Sequence, residues 1–135
     1  MTTLVEPGKQ TKAMSWAGWC LTGLVVLFLT MDGVMKFLGL PIVAETMVGL
    51  GWPADSAILL GVLTLVPTVL YAIPRTAVLG AILMTAYLGG AVATHVRIGN
   101  PLFSHVLFGV YLDVAMWAGL FLRSPRLRSV MLSGV

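Results

Sequence analysis

Charge is what this chain has least of. Only 10% of its 135 residues are Asp, Glu, Lys or Arg, against about 25% in an ordinary soluble domain. With 59% hydrophobic residues and a mean hydropathy of +0.99, a chain of this size has too little polar surface to cover an apolar core. The bilayer is therefore its expected solvent. Cysteine is almost missing too. The single Cys20 excludes an internal disulfide and a C-x-x-C redox pair, and among Leu21, Leu24 and Val25 it reads as a small buried hydrophobe. The net charge of +3 comes without any basic run, which excludes nucleic acid as a partner. Two histidines are present with no third ligand at metal spacing, and no flavin, haem or iron–sulfur ligand set is visible. No metal site is expected.

Long apolar runs are what the chain does have. A spanning helix needs about 20 mostly apolar residues, and four windows meet that length, at about 14–38, 56–73, 76–96 and 102–122. Pro74-Arg75 separates the second from the third, and Gly99-Asn-Pro101 the third from the fourth, because proline cannot continue a helix ladder and disfavours helix in the residue before it. The longer connection from Gly39 to Asp55 holds Ile42 to Leu50, which reads as a short interfacial helix, followed by Trp52-Pro53 as anchor and stop. Asp55 or Ser56 is placed to cap the second span. The fold class is all-α: a four-helix transmembrane bundle with a short interfacial helix between helices 1 and 2, forming one integral membrane domain over 1–135.

Lysine and arginine bias sets orientation. Lys9, Lys12, Arg75, Arg123, Arg126 and Arg128 fall on one side and only Lys36 and Arg97 on the other. Both termini are thus expected to be cytoplasmic. The first span carries a positive flank but no A-x-A-like cleavage site, which predicts a retained anchor helix. Trp16, Trp19, Trp52, Trp117 and Tyr71 lie near span ends, where interfacial aromatics concentrate.

In that topology Asp32, Lys36, Glu45, His95, Arg97 and His105 all converge on the non-cytoplasmic end. Ionisable groups in spanning segments are costly and face a bundle interior or a wet cavity. Asp32 and Lys36 have the favourable acid-first spacing of a helical ion pair. They form either a self-neutralising couple, with the lysine snorkelling outward, or one wall of a polar pocket. His95 and Arg97 are two residues apart, about 200° around a helix, so both serve one pocket only if the helix ends near them. His105 then opens the fourth span, with Asn100 or Ser104 as candidate caps.

Asp113 lies near the middle of the fourth span. It must pair, stay protonated or line water; Thr85, Tyr87 and Thr94 are candidate partners, and a structural hydrogen bond and a pocket floor both stay open. Ala86, Gly90 and Thr94 recur every four positions, as do Gly89 and Ala93, a spacing that lets helices approach closely or leaves a surface that admits a flat ring.

The run Tyr87-Leu-Gly-Gly-Ala-Val-Ala-Thr-His-Val-Arg-Ile-Gly-Asn-Pro-Leu-Phe-Ser-His105, with Trp117-Ala-Gly-Leu-Phe-Leu-Arg-Ser-Pro-Arg-Leu-Arg128 after it, resembles DoxX-like membrane proteins. Gly33-Val-Met-Lys36-Phe and Leu70-Tyr-Ala-Ile-Pro-Arg-Thr-Ala-Val-Leu-Gly80 extend the resemblance upstream, so that it covers about Leu24 to Arg128. It implies a small four-helix protein of the bacterial inner membrane. One related branch forms the membrane subunit of a thiosulfate:quinone oxidoreductase, and a distant one looks like receptor assembly factors. Its matching positions here are Lys36, Glu45, His95, Arg97 and His105.

Three functional readings follow. The first is a quinone-linked redox accessory subunit, in which His95, Arg97 or His105 hydrogen-bonds a quinone, Asp32 or Asp113 manages protons, and a membrane or peripheral redox partner supplies electrons. The second is a non-enzymatic assembly factor or lipid-binding accessory protein. The third is a small transporter, which needs a homo-oligomer to build a path.

Overall fold

A computed structural model of the chain describes residues 10–134; Lys9, counted above in the basic tail, lies outside them. All regular structure among the described residues is helical. Helix α1 spans Lys12–Phe37, α2 Pro41–Gly49, α3 Ala57–Ala72, α4 Ala77–Arg97, α5 Phe108–Arg123 and α6 Pro125–Ser133. A 3₁₀ turn, Ala54–Ser56, leads into α3, and a single π turn, Leu102–Val106, leads into α5. Four segments are long and apolar enough to cross a membrane: Lys12–Phe37, Ala54–Ala72, Ala77–Arg97 and Leu102–Arg123. They match the sequence-derived spans to within about two residues, the usual uncertainty of helix ends.

The termini follow local chemistry. Thr11 caps α1 by accepting from the Met14 amide at 3.1 Å. At the far end of α4, Gly99 takes φ +74°, the left-handed conformation that glycine adopts without a Cβ penalty, and the Asn100 amide returns to the His95 carbonyl at 3.1 Å. The expected caps of the second and fourth spans do not form. Neither Asp55 nor Ser56 makes a capping hydrogen bond to α3, because the 3₁₀ turn already feeds its first amides. Asn100 and Ser104 turn to the histidines instead. Helix α6 was not expected at all. Its start is a Ser124-Pro125 pair in which Ser124 accepts from the Leu127 amide at 3.2 Å and Pro125 takes the first helical position.

Each spanning helix packs on its neighbours in the chain, α1 on α3, α3 on α4 and α4 on α5, and α5 closes the ring against α1. Val25, Leu29, Tyr71, Met84 and Met116 form the core. Large apolar side chains such as Leu24, Leu59, Val69, Ile82 and Val114 point outward, as a lipid-solvated bundle requires.

Two interior placements differ from the sequence reading. Tyr71, taken for an interfacial aromatic, is fully buried. Its hydroxyl donates to the Met116 carbonyl at 2.7 Å and meets the Thr22 hydroxyl at 3.3 Å. Gly80 lets α4 come against α3 and Gly119 lets α5 come against α1 so closely that this end of the bundle seals over it. Arg123 stacks over Trp19, 4.4 Å from the ring centroid, and donates to the Tyr71 carbonyl at 2.9 Å. Cys20, expected inside, is exposed on the outer face of α1, where the bilayer itself is apolar enough to solvate it.

Candidate functional site

The opposite end of the bundle is not sealed. There the last turns of α1 and α4, the start of α3, helix α2 and the π turn surround a cavity of about 540 Å³. Its walls are mostly apolar, from residues such as Phe28, Met47, Leu63 and Phe108, and α2 roofs it with Ile42, Val43 and Met47. Ala86 and Gly90 line it and are also exposed, so it opens along that edge of α4. A Cβ on Gly90 would meet nothing within 4 Å. The four-residue spacing of small residues therefore leaves space here; it does not bring two backbones together.

Besides Tyr87, one carboxylate and one ammonium side chain, Asp32 and Lys36, and two imidazoles, His95 and His105, line this cavity. Asp32 and Lys36 are ion-paired one turn apart on α1. The lysine does not snorkel. Its side chain is 9% exposed and that of Asp32 is 42% exposed, since Lys36 lies against Gly61 of α3, where a Cβ would meet its own at 3.2 Å. The cation is thus the inner member of the pair and the carboxylate the outer one.

His95 and His105 stand edge to face, their ring centroids 5.9 Å apart. Nδ1 of His95 lies 2.6 Å from the Asn100 amide nitrogen, and Nδ1 of His105 lies 2.7 Å from the Ser104 hydroxyl. Because an amide nitrogen can only donate, Asn100 makes His95 Nδ1 the acceptor and leaves its proton on Nε2. The imidazole so held offers a donor to a ligand. Asn100 and Ser104 were missed as functional partners. The signal was available: Asn100 follows a helix-ending glycine and is five residues after His95, which folds its amide back onto the last turn.

Arg97, Glu45 and Asp113 do not line the cavity. The helix runs on through Arg97, so the 200° rotation holds, and Arg97 points away from His95 to donate to the Leu50 carbonyl at 2.9 Å. It ties the end of α4 to the segment that follows α2, and so fastens the roof. Glu45 is on the exposed face of α2. Asp113 accepts from the Thr85 hydroxyl at 2.7 Å, and that hydroxyl receives the Trp117 indole N–H at 2.8 Å. Of its candidate partners, Thr85 is the one that meets it. Among the described residues no group of three His, Cys, Asp or Glu side chains could hold a metal ion.

A family model for the DoxX-like family matches residues 20–119, most of the chain and all of the cavity walls. This chain belongs to the DoxX-like family. No curated protein and no solved structure matches it. In this DoxX-like protein the segment carrying the family resemblance, Tyr87 to His105, is also the one that supplies the α4 wall, both histidines and the turn that orients them.

Proposed function

We propose that this DoxX-like protein is a quinone-binding accessory subunit of a membrane redox system, taking the quinone into the cavity from the lipid phase. The observation that carries the proposal is the meeting of Asp32, Lys36, His95 and His105 on one otherwise apolar cavity. Its volume lies within the roughly 300–1,000 Å³ of small-molecule sites, which combine apolar walls with a few convergent polar groups. A quinone has matching chemistry: an apolar tail, a flat ring and carbonyl oxygens that accept hydrogen bonds. The exposed Ala86–Gly90 edge would admit the ring, His95 Nε2–H and the Lys36 ammonium would donate to its oxygens, and Asp32 would exchange protons with it. Electrons would come from a partner protein. The basic residues at 12, 75, 123, 126 and 128 support an orientation with both termini cytoplasmic, which sets the cavity at the non-cytoplasmic side of a bacterial inner membrane.

The test is purification in mild detergent, mass spectrometry of co-purified lipids and quinones, and titration with a short-tailed ubiquinone. One quinone per chain is expected, with affinity weakened at least about tenfold in His95→Ala, the cost of losing one hydrogen bond to a buried polar group. Absence of bound quinone, together with no saturable uptake by the wild-type protein, would sink the proposal.

A further inference from the structure

Asp113 is eleven residues into a span that runs from Leu102 to Arg123, and so lies at the middle of the bilayer. It is half-buried and does not line the cavity. Its exposed part therefore lies on the outer flank, where Val110 of α5 and Ile82 of α4, each one turn from Asp113 or Thr85, are exposed. One carboxyl oxygen accepts from Thr85. The other takes no hydrogen bond and no cation reaches either oxygen among the described residues. A partly exposed carboxyl at this depth, with only a neutral partner, is among the most costly placements in a membrane protein, and such residues mark functional contacts.

We infer that the α4–α5 flank around Asp113 is a docking surface for a transmembrane helix of another protein that carries a basic side chain at mid-bilayer. Charge complementarity selects this occupant. The alternative, a second copy of the chain, has no Lys or Arg at that depth among the described residues. Lys36 is paired within its own α1, and Arg123 is committed to Tyr71 and Trp19 at the sealed end. Arg97 is twelve residues along α4 from Thr85, about 18 Å at 1.5 Å per residue. Thr85, itself held by the Trp117 indole, fixes one carboxyl oxygen and leaves the second without a hydrogen bond among the described residues. The inference does not depend on what fills the cavity.

The test measures fluorescence energy transfer in phosphatidylcholine vesicles between the labelled full chain and three Leu-rich transmembrane peptides with Lys, Leu or Glu at the central position. The Lys peptide is expected to associate on the order of tenfold more tightly than the Leu peptide, at the upper end of interhelical polar contacts in membranes, and the Glu peptide no more tightly than the Leu peptide. In Asp113→Asn, which keeps an acceptor for Thr85, the Lys preference is expected to vanish. Equal association of the Lys and Leu peptides with the wild-type chain would overturn the inference, and that comparison needs no variant to fold. Asp113-dependent transfer between two labelled copies, without a Lys preference, would overturn it in favour of a homodimer.

Discussion

Glycine serves opposite purposes at the sealed end of this bundle and along the α4 edge of the open end. At the sealed end, glycines bring backbones into contact. A Cβ on Gly18 would stand 2.6 Å from the Arg123 amide nitrogen, one on Gly119 would stand 2.9 Å from the Thr22 hydroxyl, and one on Gly80 would overlap the Tyr71 backbone. At the open end, Gly89 and Gly90 have nothing within 4 Å of the same construction. Polar groups divide likewise. At the sealed end Tyr71 bonds to Thr22 and to the Met116 carbonyl, and Arg123 directs its guanidinium to a carbonyl and two rings, with its buried Nε unpaired among the described residues. At the open end Lys36, His95 and His105 are each held by one neighbour and keep further hydrogen-bonding capacity toward the cavity. The comparison teaches that small residues in a membrane helix do not by themselves signify contact; what matters is whether another helix takes the space.

One methyl group added at the sealed end has the largest expected effect. Gly80→Ala places its Cβ against Tyr71 and Pro67 backbone atoms, which cannot rotate away as a side-chain tip could. Overpacking of this kind costs about 3 kcal/mol, and a large fall in the SDS fraction needed for unfolding in mixed micelles is expected. A Gly80→Ala protein as stable as the wild type would mean that α3 and α4 are not locked there.

Next in size is the ion pair of the open end. Asp32→Ala leaves the buried Lys36 ammonium without its counter-charge, whereas Lys36→Met leaves only the more exposed Asp32 carboxylate. Removing one partner of a fully buried pair costs about 3–5 kcal/mol; the 42% exposure of Asp32 lets solvent screen this pair, and about 2 kcal/mol is expected for Asp32→Ala. Lys36→Met should cost less than half as much in the same unfolding assay. The reverse order would show that the carboxylate, not the ammonium, is the inner charge. Tyr71→Phe is expected to cost about 1 kcal/mol, since the hydroxyl lost from the sealed end has two partners and the Met116 carbonyl keeps its place in the helix. Thermal melts of the variant should shift without any change in ligand uptake.

Much of this arrangement was legible in the chain. Spans and breaks follow from hydropathy and from Pro74 and Pro101, which act locally. The gathering of Asp32, Lys36, His95 and His105 follows from topology, since successive antiparallel spans bring those ends to one side. Non-local approach was not legible. Whether Tyr71 meets water or the core depends on how closely Gly80 brings α4 to α3 and Gly119 brings α5 to α1, and no residue near Tyr71 in sequence reports those distances. Direction within a pair was equally hidden: Asp32 and Lys36 show an ion pair by spacing, but the space beside Gly61 decides which of them is buried. Helix α6 stands between these cases. Its Ser124-Pro125 start was readable as a cap, and Arg128, read as a tail charge, is buried because it donates to the Phe121 and Leu122 carbonyls at 2.7 and 2.9 Å and closes the end of α5.

The smallest expected effect on stability is the most informative about the open end. Gly90→Ala adds the same methyl group as Gly80→Ala, ten residues further along α4, yet meets empty space. The helix loses a glycine, a change worth up to about 1 kcal/mol in its favour, and nothing is overpacked. Unfolding should therefore stay within about 0.5 kcal/mol of the wild type or shift slightly upward. Gly90→Leu carries the same logic into function. Its side chain would occupy the opening beside Ala86 while leaving Asp32, Lys36, His95 and His105 in place, so uptake of a short-tailed ubiquinone should fall with the fold unharmed. Loss of stability in both variants would mean that another helix fills this edge in the membrane. Full uptake by a stable Gly90→Leu protein would mean that ligand enters by a different route, and the small residues of α4 would then need another explanation.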